Sequence, residues 1–500
     1  MGGITTWALA LAGQLASRGG RVTLLANQRA ARSFSGAAPV GRIDPSQSPQ
    51  GVRVVPIDCD SDAGPSSGCL PAWHAAIDEL AATAPGVPVC ISPNLTIGSY
   101  ALATELVRSR PSEVRAIGWM HSQTEFDRRL LRHSEGAISL FAPVSHRCHA
   151  MLEEAMPDRA ADLRLMPYGV PVPGTIAARS PLAGRPLRLI TTGRIEHEQK
   201  RSGALLAMSR LLHARGIAHE LLFVGEGPMA ADIDAVRTTM PWVSRIGPTS
   251  WDGASLTPAD VAAHLDRADI FVLASKYEGL SVAMLEAMAR GCACVVSNVS
   301  GASDAIDHGF SGWIVDCPPG HDDDAIGAAM ASGVERALAA GIPALGRAAW
   351  RTARQRYTIE AMGLRACALL EHAAASPPRE LAAAPPSPGF SVPPDAVERA
   401  RAALARLSGR PVALWGAGRH TQHIASELAA APANIVALID DDAARLGESI
   451  AGLRIVRPPD LCSLGVRDVL ISSAMHEAAL WARRSELEQL GLRVHRMYAA

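Results

Sequence analysis

The stretch Ser275–Gly291, SKYEGLSVAMLEAMARG, decides how this chain is read. The residues just before it, DIFVLA at Asp269–Ala274, form a short apolar run with β-branched and aromatic members, the pattern of a buried strand. Ser281 is a good N-cap, Val282, Leu285 and Ala289 share one helical face, and Gly291 stops the helix. The segment is therefore strand, loop, helix, with Glu278 in the loop and Glu286 on the helix, seven residues lying between them. The amides of Leu280, Ser281 and Val282 fall at a helix N-terminus, where unpaired N–H groups and the helix dipole attract an anion such as a diphosphate. Gly279 lets the backbone approach a ligand closely. Two carboxylates beside a diphosphate need separate tasks: Glu286 can accept from a ribose diol, and Glu278 can meet sugar hydroxyls or the reacting centre. The same pair on its own would equally describe two solvated glutamates, so its neighbours decide.

Those neighbours are three further stretches: LITTGRIEHEQKR at Leu189–Arg201, ELLFVGEGP at Glu220–Pro228 and GCACVVSNVSGASDAIDHGFSGWIV at Gly291–Val315. Together with EG…EAMA.G they resemble, in order, the signature of retaining glycosyltransferases of family 4, and the resemblance covers most of residues 1–370. It implies an α/β protein of two facing Rossmann-like lobes, the GT-B fold, with the ligand in the cleft between them. It also implies a sugar transfer from a nucleoside diphosphate-sugar donor to a hydroxyl acceptor, a saccharide or glycolipid, with no cofactor required and no metal. Relatives of this kind build cell-surface polysaccharides and glycolipids.

By the same resemblance Arg194 and Lys200 are the basic pair that offsets the charge of the departing diphosphate. The loop is one residue longer than the common spacing and Lys200 is followed by Arg201, so either cation fits. His121 ends the strand RAIGWMH and corresponds to a histidine that faces the donor sugar. Gly2 and Gly3 would present amides to the donor or acceptor, and Gly225 and Gly227 shape a turn beside the nucleotide or simply a turn. The catalytic set is thus Glu278, His121, Arg194 and Lys200. The donor-binding set is Glu286, Gly279, Leu280, Ser281, Val282, Gly2, Gly3, Gly225 and Gly227.

Five hundred residues imply several domains. The first lobe is expected over residues 1–178, the second over 185–372 with its last helix crossing back to the first, a Pro-rich linker over 373–395, and a third domain over 396–500. The family usually opens with a strand, whereas this chain begins at the turn Gly2-Gly3-Ile4, so a strand upstream of Met1 is expected. In the third domain, PVALWGAGRHTQHIASEL at Pro411–Leu428 reads as strand, glycine turn and helix, followed by the strand NIVALIDDD. It resembles the small Rossmann-like domain that precedes sugar acetyltransferase modules and binds nucleotide-sugars. Gly416, Gly418 and Asp440 would be its nucleotide contacts, although Thr421 stands where a third Gly or Ala is usual. The alternative is a scaffold that has kept only the turn.

Composition sets outer limits. With 48 basic and 49 acidic residues the net charge of −1 gives no drive toward nucleic acid. The basic run Arg128–Gly136 reads as a solvated helix face. The nine cysteines show neither metal-ligand nor disulfide spacing, and Cys292 and Cys294 read as packed thiols, which points to a reducing cytoplasm with room for peripheral membrane contact. Two other functions stay open: a nucleotide-sugar epimerase on a similar fold, and a nucleotide-sugar sensor working through the third domain.

Overall fold

The computed structural model describes residues 3–27, 48–57, 68–93, 97–247, 257–317, 321–381, 396–407, 409–418, 420–421, 424, 434–440, 446–450, 452–473 and 477–498. Gly2 and any strand preceding it lie outside this set. The described residues divide into two compact units, one ending before residue 386 and one following it.

In the first unit the opening lobe carries β1 (Val22–Asn27), β2 (Val52–Ile57), β3 (Val89–Ile91), β4 (Val114–Met120) and β5 (Ile138–Pro143). Among the described residues these strands form two parallel sheets, β1-β2 and β3-β4-β5. Every residue of β4 and β5 is buried, as expected of parallel strands covered by helices on both faces. The helix Gly3–Ser17 sends Trp7 edge-on against Trp119 and His121, both ring centroids 4.7 Å away.

The second lobe has β6 (Leu187–Thr192), β7 (His219–Val224), β8 (Val243–Ile246), β9 (Ile270–Leu273), β10 (Ala293–Ser297) and β11 (Trp313–Val315), in the parallel order β11-β10-β9-β6-β7-β8. Leu189, Phe223, Val272 and Val295 are at most 1% exposed at its centre, and each such side chain contributes roughly 1.5–3 kcal/mol by leaving water. The helices Ser202–Ala214 and Asp323–Ala340 meet at Gly327, where a Cβ would come within 2.6 Å of the Ala207 Cβ. From β6 the chain winds outward through β7 and β8, then returns to build β9, β10 and β11 on the other side. The boundary between β6 and β9 is therefore the switch point of the sheet, and the carboxyl ends of strands at such a point are where open α/β sheets take their ligands.

The helix Ile359–Ala375 packs on the first lobe. Arg18 donates to the Glu360 carbonyl (3.2 Å), Cys90 to the Leu370 carbonyl, and Gly363 packs on Gln14. The segment expected to be an extended linker from residue 373 starts differently. The helix continues to Ala375, and residues 376–381 stay on the first lobe through Arg115 to the Ser376 carbonyl (2.9 Å), an Arg379–Asp162 ion pair (3.2 Å) and Leu381 against Gly136.

The second unit contains β12 (Pro411–Trp415), β13 (Asn434–Ile439), the hairpin β14 (Ser449–Ile450) and β15 (Leu453–Arg454), then β16 (Asp468–Ile471) and β17 (Arg493–His495). Its parallel sheet runs β13-β12-β16-β17, an α/β arrangement with its own switch point between β12 and β16. Cys292 and Cys294 are buried free thiols, but Cys69 is disulfide-bonded, contrary to the reading of all nine as unbridged. That removes the thiol argument for a reducing compartment. No helix among the described residues is long and apolar enough to cross a membrane.

Candidate functional site

Two loops leave the switch point of the second lobe. The one after β6 carries Arg194, Glu196, Lys200 and Arg201; the one after β9 carries Ser275, Glu278 and Gly279. They meet through Lys200, whose Nζ lies 2.5 Å from Glu278 Oε1. The same oxygen accepts from Ser275 Oγ at 2.7 Å. Glu278 is 8% exposed, so this carboxylate is held by one cation and one hydroxyl in a largely dry site. Lys200, and not Arg201, is the cation that reaches it.

Arg201 does not reach Glu278; its side chain is buried, and its Nη1 has no hydrogen-bond partner among the described residues. Arg201 is the positive-φ residue other than glycine among the described residues, at φ 49°, in a conformation that costs a branched or long side chain energy. The turn is fixed by Glu196, a buried carboxylate that the motif comparison did not pick out. Its Oε1 accepts from the amides of Gln199 (2.9 Å) and Lys200 (2.7 Å), while its own amide donates to Ser202 Oγ (3.1 Å). The amide of Lys276 then donates to the Gln199 carbonyl (2.7 Å), tying the two loops together. Arg194 is exposed on the same loop, with no ion pair among the described residues.

The helix Val282–Ala289 forms where expected, capped by Ser281, whose Oγ accepts from the Met284 amide at 3.3 Å. The amides of Leu280, Ser281 and Val282 precede its hydrogen-bonded turns and are available to an anion. Glu286 sits in the second turn of this helix, and burial pushes its carboxyl up to about 7. A half-buried carboxyl without a strong partner suits a group that waits for hydroxyl donors.

The first lobe closes the site. Gly279 presses against the His121 carbonyl so tightly that an added Cβ would lie 1.9 Å from that oxygen. His121 is buried, its Nδ1 2.6 Å from the Tyr168 hydroxyl, and burial alone pushes its pKa down to about 3, leaving a neutral ring. Tyr168 was not picked out from sequence, although it lies in the strand and turn that hand over to the second lobe. The predicted catalytic residues His121, Lys200 and Glu278 are thus gathered around one cleft, with Arg194 on its loop.

The glycines divide. Gly3 begins the first helix, and Gly2 lies outside the described residues. Gly225 and Gly227 hold loops together: Cβ atoms there would lie 1.8 Å from the Gly193 carbonyl oxygen and 2.1 Å from that of Ile195. Both have φ near 150°, which glycine tolerates readily. Their direct neighbour is the Arg194 loop, so they shape the site by packing.

At the second unit's switch point Gly416 has φ 107° and Gly418 has open space around it. Asp440 Oδ2 accepts from the Ala417 amide at 2.7 Å. Thr421, in the place of the third glycine, donates to the Gly416 carbonyl (2.5 Å) and lies 2.7 Å from Ser472 Oγ across the crevice. No group of three or more His, Cys, Asp or Glu among the described residues could hold a metal ion.

Comparison with known proteins places the site in context. The chain is 33% identical over 191 residues to a glycogen synthase of Mycobacterium tuberculosis, covering 37% of this chain and 42% of that one. It is 29% identical over 136 residues to the amylovoran biosynthesis glycosyltransferase AmsK of Erwinia amylovora, covering 26% and 32%. It thus spans well under half the length of these curated relatives. Among solved structures, HepE of Anabaena in complex with UDP and glucose superposes with a TM-score of 0.52 at 14% identity over 74% of this chain and 96% of that one. Sucrose-phosphate synthase of Thermosynechococcus elongatus gives 0.52 at 18% over 74% and 93%. These likenesses establish the two-lobed α/β fold with parallel sheets. It is the second lobe, residues 186–336, with both loops of the switch point and both glutamates, that matches the family described as Glycosyl transferases group 1.

Proposed function

We propose that the protein is a retaining glycosyltransferase that moves a hexose from a nucleoside diphosphate-sugar to a hydroxyl acceptor, a saccharide or glycolipid. The observation that carries this reading is the meeting of Lys200 and Glu278 at 2.5 Å beside an open helix N-terminus, with neutral His121 closing the cleft from the other lobe.

The donor's diphosphate would lie on the amides of Leu280, Ser281 and Val282, and its ribose diol would donate to Glu286. A phosphate oxygen arriving next to Lys200 shares that cation with Glu278, which frees part of the carboxylate for the sugar. As the bond from the anomeric carbon to the phosphate oxygen breaks, negative charge grows on the diphosphate. Lys200, Arg194 and the helix N-terminus stabilise it more in the transition state than in the ground state. The acceptor oxygen bonds to the anomeric carbon on the face being vacated, and its proton passes to the departing phosphate oxygen. Glu278 steadies the positive charge that develops on the sugar. His121, being neutral, can hydrogen-bond a sugar hydroxyl without opposing that charge.

HepE is described in complex with UDP and glucose, and several relatives are named for polysaccharide assembly, among them AmsK and the putative colanic acid biosynthesis glycosyltransferase WcaL of Salmonella typhimurium. A UDP-hexose donor and a surface-polysaccharide or lipid-linked acceptor are accordingly the first to try. The test is a panel of nucleotide-sugars scored by melting temperature, where a ligand at about 100 times its dissociation constant adds roughly 2.7 kcal/mol. Stabilising donors are then incubated with and without acceptor. A glycosylated product, or slow donor hydrolysis in its absence, supports transfer. An epimerised nucleotide-sugar, or binding without any turnover, overturns it.

A further inference from the structure

Gln123 lies two residues beyond His121 and is the first-lobe residue that grips both second-lobe loops flanking the cleft. Its amide donates to the Glu278 carbonyl at 3.0 Å. Its side-chain Oε1 accepts from the Ser300 amide at 2.7 Å and from Arg147 Nη1 at 3.3 Å. Ser300 is 1% exposed, so its amide has little recourse to water if that acceptor is lost. Around this point the lobes are joined further by Ser145 Oγ to Ser300 Oγ (2.6 Å) and by the His146 amide to Asp304 Oδ2 (2.7 Å). The tightest approach, Gly279 on the His121 carbonyl, lies on the same seam.

We infer that Gln123 is a positioning residue of the transfer reaction, setting the register between the loop that carries His121 and the loop that carries Glu278. It touches neither donor nor acceptor. It acts by fixing the carbonyl of Glu278 from one side and the 298–304 loop from the other, so that a closed cleft presents Glu278 and His121 to one sugar at once. The inference rests on the proposed transfer reaction. The donor's diphosphate and ribose lie on second-lobe groups, so the effect of losing the Gln123 acceptor falls more on turnover than on affinity. The backbone bond to Glu278 survives any side chain but proline, which isolates the side-chain bond to Ser300.

The experiment compares Gln123→Met, which has similar length and no acceptor oxygen, with Gln123→Glu, which keeps one that can also pair with Arg147. Gln123→Ala repeats the first change if the Met variant folds poorly. In the full-length protein Gln123→Met should lower kcat about tenfold with donor KM within about twofold, and Gln123→Glu should recover kcat to within about threefold of wild type. A second readout does not need turnover. Cys148 Sγ lies 3.5 Å from Ser300 Oγ, so in a Ser300→Cys background diamide should oxidise the two thiols to a disulfide across the lobes, identifiable by peptide mapping. Adding Gln123→Met should slow that cross-link and Gln123→Glu should restore it. An unchanged kcat in Gln123→Met, a loss that Gln123→Glu fails to recover, or an unchanged cross-linking rate overturns the role. If wild type turns over no nucleotide-sugar, the transfer reading fails by itself, while the cross-linking rate still decides the register.

Discussion

This chain contains two switch points built on the same plan, and their polar groups are arranged in opposite ways. In both, parallel strands part at the centre of an α/β sheet, and a glycine-bearing turn leads from a strand toward a helix. At the β6/β9 switch point the polar groups belong to loops far apart in sequence: Lys200 meets Glu278, and Gln123 and His121 arrive from another lobe. At the β12/β16 switch point the turn is tied to other strands of its own small sheet by uncharged groups and one carboxylate, with no Lys or Arg in these bonds. Asp440 takes the Ala417 amide, Thr421 takes the Gly416 carbonyl, and His420 Nδ1 lies 3.2 Å from Ser472 Oγ. A glycine pattern reports a tight turn in both places. What differs is whether charged groups converge from several elements onto a helix N-terminus, and this is the feature that reports chemistry.

The sharpest way to break this contrast is Glu278→Gln, expected to lower transfer about a thousandfold by removing the charge that faces the sugar. A kcat close to wild type would mean that the β6/β9 crevice is not the reacting one. Lys200→Ala should cost about a hundredfold, mostly in kcat, because leaving-group charge is greatest in the transition state. A larger loss in Arg201→Ala would show that the cation has been assigned to the wrong residue of its loop. Glu286→Ala should weaken nucleoside diphosphate binding about tenfold in calorimetry by removing the ribose acceptor, without unfolding the lobe; unchanged affinity would detach Glu286 from the donor.

Glu286 also supplies a pH test. Its folded carboxyl titrates near 7 and its ordinary value is 4.5, so between these values the folded protein keeps a proton that the unfolded chain has released. The contribution to stability is full below about pH 4.5 and is lost as pH rises through 7. His121 has the opposite sign: its neutral folded ring costs stability as pH falls below 6.5, down to about 3. Melting temperatures of wild type and Glu286→Gln from pH 5 to 8 isolate the first effect, because His121 is common to both. The difference between the two curves should change across that range, and a constant offset would mean that the Glu286 carboxyl is not raised in the folded protein. The smallest effect is expected at the other switch point. Asp440→Ala should leave transfer within about twofold while destabilising the second unit by about 1 kcal/mol through the lost Ala417 bond. A nucleotide that binds wild type at a second site, and no longer binds Asp440→Ala, would erase the contrast between the two regions.

The strand, loop and capped helix around Glu278 were legible because each follows from local rules: an apolar run, an N-cap serine, a stopping glycine. The crossing helix was legible through its resemblance to family members. Tyr168 and Gln123 were not, since each acts through a partner brought near by folding rather than by sequence; Glu196 and Ser275 bond within six residues of themselves, but in irregular loops whose turns no local pattern announces. Gln123 and Ser300 are 177 positions apart, and Lys200 and Glu278 are 78 apart. A faint signal existed for Glu196, an acidic residue inside a loop expected to bind an anion, which makes sense only if its charge is spent on amides. Gly225 and Gly227, read as shaping a turn beside the nucleotide or simply a turn, seat the neighbouring Arg194 loop, a role that glycine spacing alone does not announce. The docked stretch 376–381 was hidden by its proline content, which describes an extended backbone equally well whether it is free or laid along a surface.

The helix Ile359–Ala375 and the six residues after it complete the first lobe from the far end of the unit, and this orders events during synthesis. At about 5–20 residues per second, roughly ten to forty seconds separate the emergence of Val170 from that of Leu381. Throughout that interval the groups that receive this segment, Gln14, Cys90, Arg115 and Asp162, have no helix or strap upon them. The second lobe, whose sheet draws its strands from residues 187–315, has all of them available earlier than the first lobe has its last helix. The part of the chain made first is thus finished last, and a nascent chain halted before residue 359 would present a first lobe open to chaperones and proteases.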